Sequence, residues 1–400
     1  MKKRNILIIN AHWNNRGDEA ALRSLIDSLL EDGHNVKVQI QSSKVEQFPY
    51  KNLEYTTEYP RLRTLPSFMI AVFTSFRIVP PSGRKLVKMM KESDLIIHAP
   101  GGPSIGDIYG PKEFNYLSKF LAAQKMGKPY VFCAPSAGPF NKASRNPIRR
   151  KVYKNAKAIV LREQLSQKFL NKLMPDNKSI VTCDMALQNE INLTNEAAKF
   201  KENAQLNSFI EDSKVVGITI TDLLWHPIHS KNEKLQHDIK SSFSVFIKYL
   251  TDNGYKVVFI PQLFGTGNDY KLMSKYCIND RCYVLSDSYD AYFQQYLISK
   301  LYAVVGMRYH SNIFSAKMNT PFISISYEQK MKGFVKKMTL MDYCIDINEL
   351  SAKKLVDKFQ KLEQNRDSLK SYLESKSAKL KALSHETVVI IENVLNELEK

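Results

Sequence analysis

In the segment Val304-Val-Gly306-Met-Arg308-Tyr-His310-Ser311, an arginine and a histidine stand two residues apart at the end of a β-branched run. A guanidinium fork suits a carboxylate or phosphate, and an imidazole gives or takes a proton near neutral pH. His310 has two readings, a core or helix-capping histidine and a proton donor facing a ligand; its pairing with Arg308 at a strand end points to the second. Arg162, in Arg162-Glu163-Gln-Leu-Ser166, has the same placement after the run Ala158 to Leu161. Near the N-terminus, Asn5 to Asn10 leads through His12-Trp-Asn-Asn15-Arg-Gly17-Asp18-Glu19 into a helical pattern. Gly17 permits a tight turn there, and N–H groups at a helix start can hold an anion or a sugar hydroxyl. Asp18 is either the N-cap or a carboxylate able to accept a hydroxyl proton. Two further turns, Gly101-Gly102-Pro-Ser104-Ile-Gly106-Asp107 and Ser136-Ala-Gly138-Pro139-Phe140, allow close approach of a ligand to the backbone, or serve as plain turns. Neither a G-x-G-x-x-G nor a G-x-x-x-x-G-K-[ST] motif occurs, and no His/Asp/Glu cluster has metal-ligand spacing, so no metal or dinucleotide cofactor is expected.

These segments all follow short apolar runs that alternate with helical stretches, the pattern of a parallel sheet wrapped by helices. The first half offers strands at Asn5 to Asn10, Asn35 to Gln41, Asp94 to Ala99, Pro129 to Ala134, Ala158 to Leu161 and Ser179 to Cys183. A second alternation starts at Val215 to Ile220 and runs through Val257 to Ile260, Cys282 to Leu285, Ala303 to Val305 and Phe322 to Ser326. The expected fold is α/β: two Rossmann-like domains, residues 1–190 and 213–346, facing a cleft, with C-terminal helices over 347–400 packing across them. The Asn- and Glu-rich stretch Asn189 to Asp212 reads as a linker. In open α/β sheets ligands bind beyond the carboxyl ends of the strands, where the candidate residues lie.

The chain has 400 residues and 58 Lys plus Arg against 40 Asp plus Glu, a formal charge of +18. With 44% hydrophobic residues it can bury a large core, which excludes a disordered, collagenous or disulfide-scaffold protein. Five dispersed cysteines without a C-x-x-C pair read as cytosolic thiols. The apolar run Ile6 to Ile9 is too short for a secretory signal, and Leu65 to Phe76 is too short to span a membrane. From Phe114 to Arg162 there are eleven Lys or Arg and no acid. Such a surface attracts an anion: nucleic acid, acidic lipid or a phosphorylated substrate. The basic residues form no Arg-Gly repeat, zinc module or RNA-recognition signature, so nucleic acid is not expected.

Taken in order, Asn15-x-Gly17-Asp18-Glu19, Gly101-Gly102, Ser136-x-Gly138-Pro139-Phe140, Arg162-Glu163-x-x-Ser166, Asp184, Gly306-Met-Arg308-Tyr-His310 and Pro321-Phe-Ile-Ser-Ile-Ser-Tyr327-Glu-Gln-Lys330-Met-Lys-Gly333-Phe334 resemble the polysaccharide pyruvyl transferases. Pro103 stands where a third glycine is often seen. The resemblance implies an architecture similar to glycosyltransferase-B enzymes and transfer of pyruvate from phosphoenolpyruvate to two hydroxyls of a sugar, forming a ketal. It implies Arg162 and Arg308 as anion-holding groups, His310 as acid and Asp18 as base. Asn15, Gly17, Gly101, Gly102, Asp107, Ser136, Gly138, Ser311, Tyr327 and Lys330 become substrate-contact candidates. Phosphoenolpyruvate is then a co-substrate, with no cofactor. The expected partners are a saccharide acceptor on a polyprenyl diphosphate and an anionic membrane surface, with the enzyme cytoplasmic and peripheral at the inner membrane face. Leu65 to Phe76, between Arg63 and Arg77, is either an interfacial anchor or a buried helix. The competing enzyme reading is a nucleotide-sugar-dependent glycosyltransferase of the same architecture, for which Glu328 is the available acidic ribose ligand.

Overall fold

Ile6 to Ile9 are fully buried, as an apolar run must be when helices cover both faces of a parallel sheet. A computed structural model describes residues 2–13, 15–40, 48–57, 81–108, 110–188, 190–226, 228–264 and 268–398. The stretch Leu65 to Phe76 lies outside the described residues. The chain divides into two compact units. The first comprises Met1–Trp13, Asp18–Asn189 and Ala382–Lys400; the second comprises Asn14–Gly17 and Glu190–Lys381.

The first unit runs β1 (Asn5–Ala11), α1 (Arg16–Glu31), β2 (Asn35–Ile40), β3 (Glu54–Thr56), α2 (Pro81–Glu92), β4 (Leu95–His98), β5 (Gly101–Ile105) and α3 (Glu113–Lys125). It continues through β6 (Tyr130–Phe132), β7 (Pro135–Ala137), α4 (Asn146–Lys154), β8 (Ala158–Leu161), α5 (Gln164–Leu173) and β9 (Ile180–Val181). The main sheet has the order β3-β2-β1-β4-β6-β8-β9 with parallel pairing. The glycine-rich turns after β4 and β6 are themselves a short parallel pair, β5 with β7, that extends past the sheet's carboxyl edge. Behind them, Phe120, Tyr130, Phe132 and Tyr153 form an aromatic core with centroids 4.7–6.2 Å apart.

The second unit opens with α6 (Leu193–Glu202) and α7 (Ala204–Ile210), where a linker was expected. The asparagines that gave that stretch its polar look are helix caps: Asn192 Oδ1 accepts from the Asn195 N–H at 3.0 Å and Asn203 Oδ1 from the Leu206 N–H at 2.9 Å. Phe200, Leu206 and Ile210 carry the buried face. Then come β10 (Val215–Thr219), α8 (Glu233–Asp252), β11 (Lys256–Phe259), α9 (Asp269–Met273), β12 (Cys282–Val284), α10 (Ala291–Ser299), β13 (Ala303–Gly306), α11 (Tyr309–Lys317), β14 (Phe322–Ser326), α12 (Gln329–Lys337) and β15 (Cys344–Asp346). Their parallel order is β12-β11-β10-β13-β14-β15. Next, α13 (Ala352–Gln364) packs on α8, with Phe359 5.8 Å from Phe246. Finally α14 (Arg366–Glu397) belongs to the second unit up to Lys381 and to the first from Ala382. All five cysteines are free thiols. No helix among the described residues is long and apolar enough to cross a membrane.

Candidate active site

Both sheets share the strand order 3-2-1-4, which reverses the direction of winding between β1 and β4 and between β10 and β13. The carboxyl ends of those strands are where a doubly wound sheet takes a ligand. Nearly all the candidate residues lie at these two places or on the adjoining turns.

At the first, Asn10, the next-to-last residue of β1, has φ 63°, where the pairing with β2 slips between Ile8 and Ala11. Asparagine is one of the few residues that tolerate this backbone. Its Oδ1 accepts from Lys119 Nζ at 2.7 Å, and its N–H donates to Gln39 Oε1 at 3.0 Å. Lys119, on α3, is only 1% exposed; it also donates to the Asn115 carbonyl at 3.0 Å, and burial draws the amine down to about 7. Burial likewise draws His98, stacked on Phe120, down to about 4; its Nδ1–H donates to the Ala99 carbonyl at 2.7 Å. His12 Nε2 lies 3.2 Å from Tyr116 Oη. Burial lowers His12 as well, with Lys119 adding to the effect and Asp18 opposing it.

Asp18 is not the N-cap of α1. Asn15 takes that role, its Oδ1 accepting from the Gly17 N–H at 2.8 Å. Asp18 in the first turn instead accepts from the Gly102 N–H at 3.3 Å. Gly101, at φ 124°, admits no side chain: a Cβ would stand 2.7 Å from Asp18 Oδ1. Asp107 faces its own unit. It accepts from Arg149 Nη2 at 2.6 Å and from the N–H groups of Asn141 and Lys142 at 2.6 and 3.0 Å. Burial works against its charge, but these donors hold the carboxyl below the usual range. Ser136, Gly138 and Arg162 also bond inward. Arg162 Nε donates to Ser136 Oγ at 2.9 Å and Nη1 to Asp184 at 2.8 Å, while Gly138 packs on Phe169. Ser166 Oγ accepts from the Ala137 N–H and donates to Glu163, both at 2.8 Å, so the motif residues around Arg162 brace one another.

At the second place, Arg308 lies between β13 and α11. Its Nε donates to Asp269 Oδ2 at 3.1 Å and its Nη2 to Asp269 Oδ1, so the fork is closed on a buried carboxylate. Trp225 covers the guanidinium at 5.2 Å. Burial disfavours the charge, but Asp269 and Tyr327 more than restore it, so the arginine is held above its ordinary value. Asp269 also accepts from the N–H groups of Gln262 and Leu263 at 3.0 and 2.9 Å. Ser311 is fully buried; it donates to the Arg308 carbonyl at 2.7 Å and pairs with Thr219 at 2.9 Å, fixing the turn that carries Arg308. His310 is 6% exposed and lies in the first turn of α11, whose N-cap is Arg308; its ring centroid is 5.0 Å from that of Tyr309 and 6.3 Å from that of Phe314. Its ring lies against Gly17, where a Cβ would fall 1.8 Å from Nδ1.

Tyr327 and Lys330 follow β14. Lys330 pairs with Glu328 at 2.6 Å and stands 5.8 Å over the Tyr309 ring. His226 Nδ1 accepts from the N–H groups of Ile228 and His229, which leaves Nε2–H to donate to Glu328 at 3.2 Å. Burial would raise Glu328, but Lys330 and His226 draw it down to about 2. Among the described residues no three of His, Cys, Asp or Glu are grouped to hold a metal ion. The sequence reading assigned no role to His12, His98, Tyr116, Lys119, Trp225, His226, His229 or Asp269. Lys119 alone had a local signal, a lysine inside the apolar run Leu117-Ser-Lys-Phe-Leu-Ala-Ala.

Two Rossmann-type units in succession define the glycosyltransferase-B class of α/β proteins. S. aureus MnaA in its UDP co-structure shares the fold at TM-score 0.62 and 15% identity, covering 99% of this chain and 97% of that one. Anabaena Alr3699/HepE in complex with UDP and glucose does so at TM-score 0.58 and 14% identity over 99% of both chains. The sequence narrows the class, because the polysaccharide pyruvyl transferase model matches residues 15–329, and the chain belongs to that family. Amylovoran biosynthesis protein AmsJ of Erwinia amylovora is 25% identical over 396 residues, 90% of this chain and 94% of that protein. The chain is thus a transferase of polysaccharide biosynthesis.

Proposed function

We propose that the enzyme transfers pyruvate from phosphoenolpyruvate to two hydroxyls of one sugar, releasing phosphate and leaving a cyclic ketal on a polysaccharide or its lipid-linked precursor. The observation that supports this most is the gathering of Arg308, His310, Tyr327 and Lys330 from two separate motifs at the carboxyl end of one sheet. A carboxylate and a phosphate on one small frame need such a set of charged and hydrogen-bonding groups.

His310 protonates the methylene carbon, which becomes a methyl group and leaves the neighbouring carbon open to attack by a hydroxyl. Phosphate then departs with the electrons of its C–O bond, and the second hydroxyl closes the ring. Of the two hydroxyl protons given up, one balances that placed on the methyl carbon and the other leaves with phosphate. With Nε and Nη2 on Asp269 and the same guanidinium bonded to Tyr327, Arg308 faces substrate as a positioned charge rather than a full fork. Arg162, expected as a second substrate arginine, is assigned the bracing of the Ser136 turn, because Ser136 and Asp184 occupy its Nε and Nη1. Asp18 supplies the carboxylate on the acceptor side.

Phosphate release from phosphoenolpyruvate with a panel of lipid-linked and synthetic saccharides, read together with product mass, tests this. A sugar gaining a pyruvate ketal as phosphate appears supports it. Failure to bind phosphoenolpyruvate together with binding of a UDP-sugar overturns it. A lipid-linked acceptor would bring the enzyme to an anionic membrane face, and Lys142, Arg150, Lys151, Lys154 and Lys157 are exposed cations suited to headgroups. Vesicle flotation that does not change with anionic lipid would remove that part.

A further inference from the structure

The loop that follows β10 has no part in the reaction above, yet its aromatic side chains meet residues that the reaction uses. The Trp225 ring lies 5.2 Å from the Arg308 guanidinium and 6.3 Å, edge-on, from the Tyr327 ring. His226 meets the Tyr327 ring at 5.7 Å and stacks on His229 at 4.7 Å, and His229 Nε2–H donates to the Tyr327 carbonyl at 3.3 Å. The loop is built to hold these positions. Thr221 Oγ1 accepts from the Leu223 N–H at 3.3 Å and from Trp225 Nε1–H at 3.0 Å, and the His226 N–H closes a turn on the Leu223 carbonyl at 2.9 Å. Leu223 is fully buried at φ 57°, a backbone that a bulky residue adopts only under strain. Such strain persists where the surroundings over-determine it, and it clusters at functional sites.

Within the loop, hydrogen bonding selects one tautomer of His226. Its Nδ1 accepts from the N–H groups of Ile228 and His229 at 3.2 and 3.3 Å, so the ring proton sits on Nε2 and donates to Glu328 Oε1 at 3.2 Å. Glu328 Oε2 pairs with Lys330 Nζ at 2.6 Å, and that ammonium stands 5.8 Å over the ring of Tyr309, the residue between Arg308 and His310 in the chain. Resting on the ketal-forming reading, we propose that His226 is a positioning residue for the anionic donor, and that through Glu328 it sets the place at which Lys330 meets phosphoenolpyruvate. A lysine is a point charge on a flexible four-carbon stem, and a carboxylate held at its other oxygen gives that stem a direction. An ammonium carries three N–H donors, so Lys330 can keep Glu328 and also donate to a substrate oxygen. His226, 5% exposed, acts through Glu328; removing its Nε2–H lets the carboxylate rotate, and Lys330 moves with it.

Equilibrium dialysis of phosphoenolpyruvate against the full chain tests this. His226→Asn keeps an acceptor for the two loop N–H groups but is too short to reach Glu328. It should weaken binding about tenfold, near the lower end for a hydrogen bond to a charged group, and His226→Gln, with an amide N–H in place of Nε2–H, should recover most of the loss. Lys330→Met should itself bind about tenfold more weakly, and in that background His226→Asn should cost less than about twofold, because both changes remove one interaction. Equal losses in the two backgrounds, no recovery with glutamine, or wild-type affinity in Lys330→Met would overturn the inference. In each of those cases wild-type binding of phosphoenolpyruvate leaves the pyruvyl reading standing. Should phosphoenolpyruvate not bind, the same four proteins are titrated with UDP-glucose, whose diphosphate is the anion of the competing reading. Coupling between His226 and Lys330 there retains the positioning role and removes the pyruvyl reading; additive losses, or no binding of either anion, remove both.

Discussion

Replacing Lys119 by methionine should stabilise the first unit at neutral pH and destabilise it at high pH. The amine falls from 10.5 to about 7 on burial, and 10.5 less 7 is about 3.5 pH units, or about 5 kcal/mol at about 1.4 kcal/mol per unit. Below pH 7 the amine is charged in both folded and unfolded chains, and the native state carries the whole penalty. Between pH 7 and 10.5 the unfolded chain holds a proton that the folded one lacks, so wild-type stability climbs by about 1.4 kcal/mol per unit. Methionine removes that dependence but leaves Asn10 Oδ1 and the Asn115 carbonyl without this donor, about 1.5 kcal/mol for each. The difference leaves the variant about 2 kcal/mol more stable at pH 6.5, with a crossover at about pH 8.5 and a deficit beyond it. Urea unfolding from pH 6.5 to 10, followed by Trp13 fluorescence in a Trp225→Phe background, reads the first unit directly. A stability gap that stays constant from pH 7 to 10 would refute the reasoning.

Asp269→Ala strands the buried Arg308 guanidinium, and should cost the second unit about 3–5 kcal/mol and abolish phosphoenolpyruvate binding; Trp225 emission and equilibrium dialysis check both. Gly17→Ala puts a methyl group where His310 Nδ1 stands, so turnover should fall about 100-fold while phosphoenolpyruvate affinity holds. His310→Ala should behave alike in single-turnover assays, and near-normal rates in both would deny the imidazole its role. Glu328, drawn from 4.5 to about 2, contributes about 3 kcal/mol that is present above pH 4.5 and lost as pH falls through 2. Acid unfolding of Glu328→Gln should therefore be flatter over that interval.

The central strands were legible in the sequence because burial on both faces leaves an unbroken apolar run. Ala158 to Leu161 and Phe322 to Ser326 coincide with β8 and β14. The three-residue edge strand β3, Glu-Tyr-Thr with two exposed residues, carries no such run, and β15 is equally brief. Asparagine misled at Asn192 and Asn203 because it caps helices as readily as it fills loops. Within the site, local spacing located Arg308 and His310 but not what they touch. Asp269 lies 39 residues from Arg308 and belongs to a different turn, and nothing local to either residue announces the ion pair. Lys119 was counted among surface cations, since composition does not distinguish a solvated lysine from one buried beside the Tyr116 ring. The motif Arg162, Ser136 and Asp184 was visible as three separate fragments, and only the fold turns them into one brace.

The long helix α14 makes the order of synthesis differ from the order of completion. Most of the first unit leaves the ribosome in the first 189 residues, yet it also includes Ala382–Lys400. Within that last piece, Thr387 bonds Thr182 at 2.7 Å, Ser384 donates to the Asp184 carbonyl at 2.9 Å and Glu392 receives His34 at 3.1 Å. A nascent chain of 189 residues lacks all three contacts, including the one that steadies the partner of Arg162. The unit translated first is therefore the one finished last, and the motif around Arg162 reaches its final packing only once the whole second unit has been made.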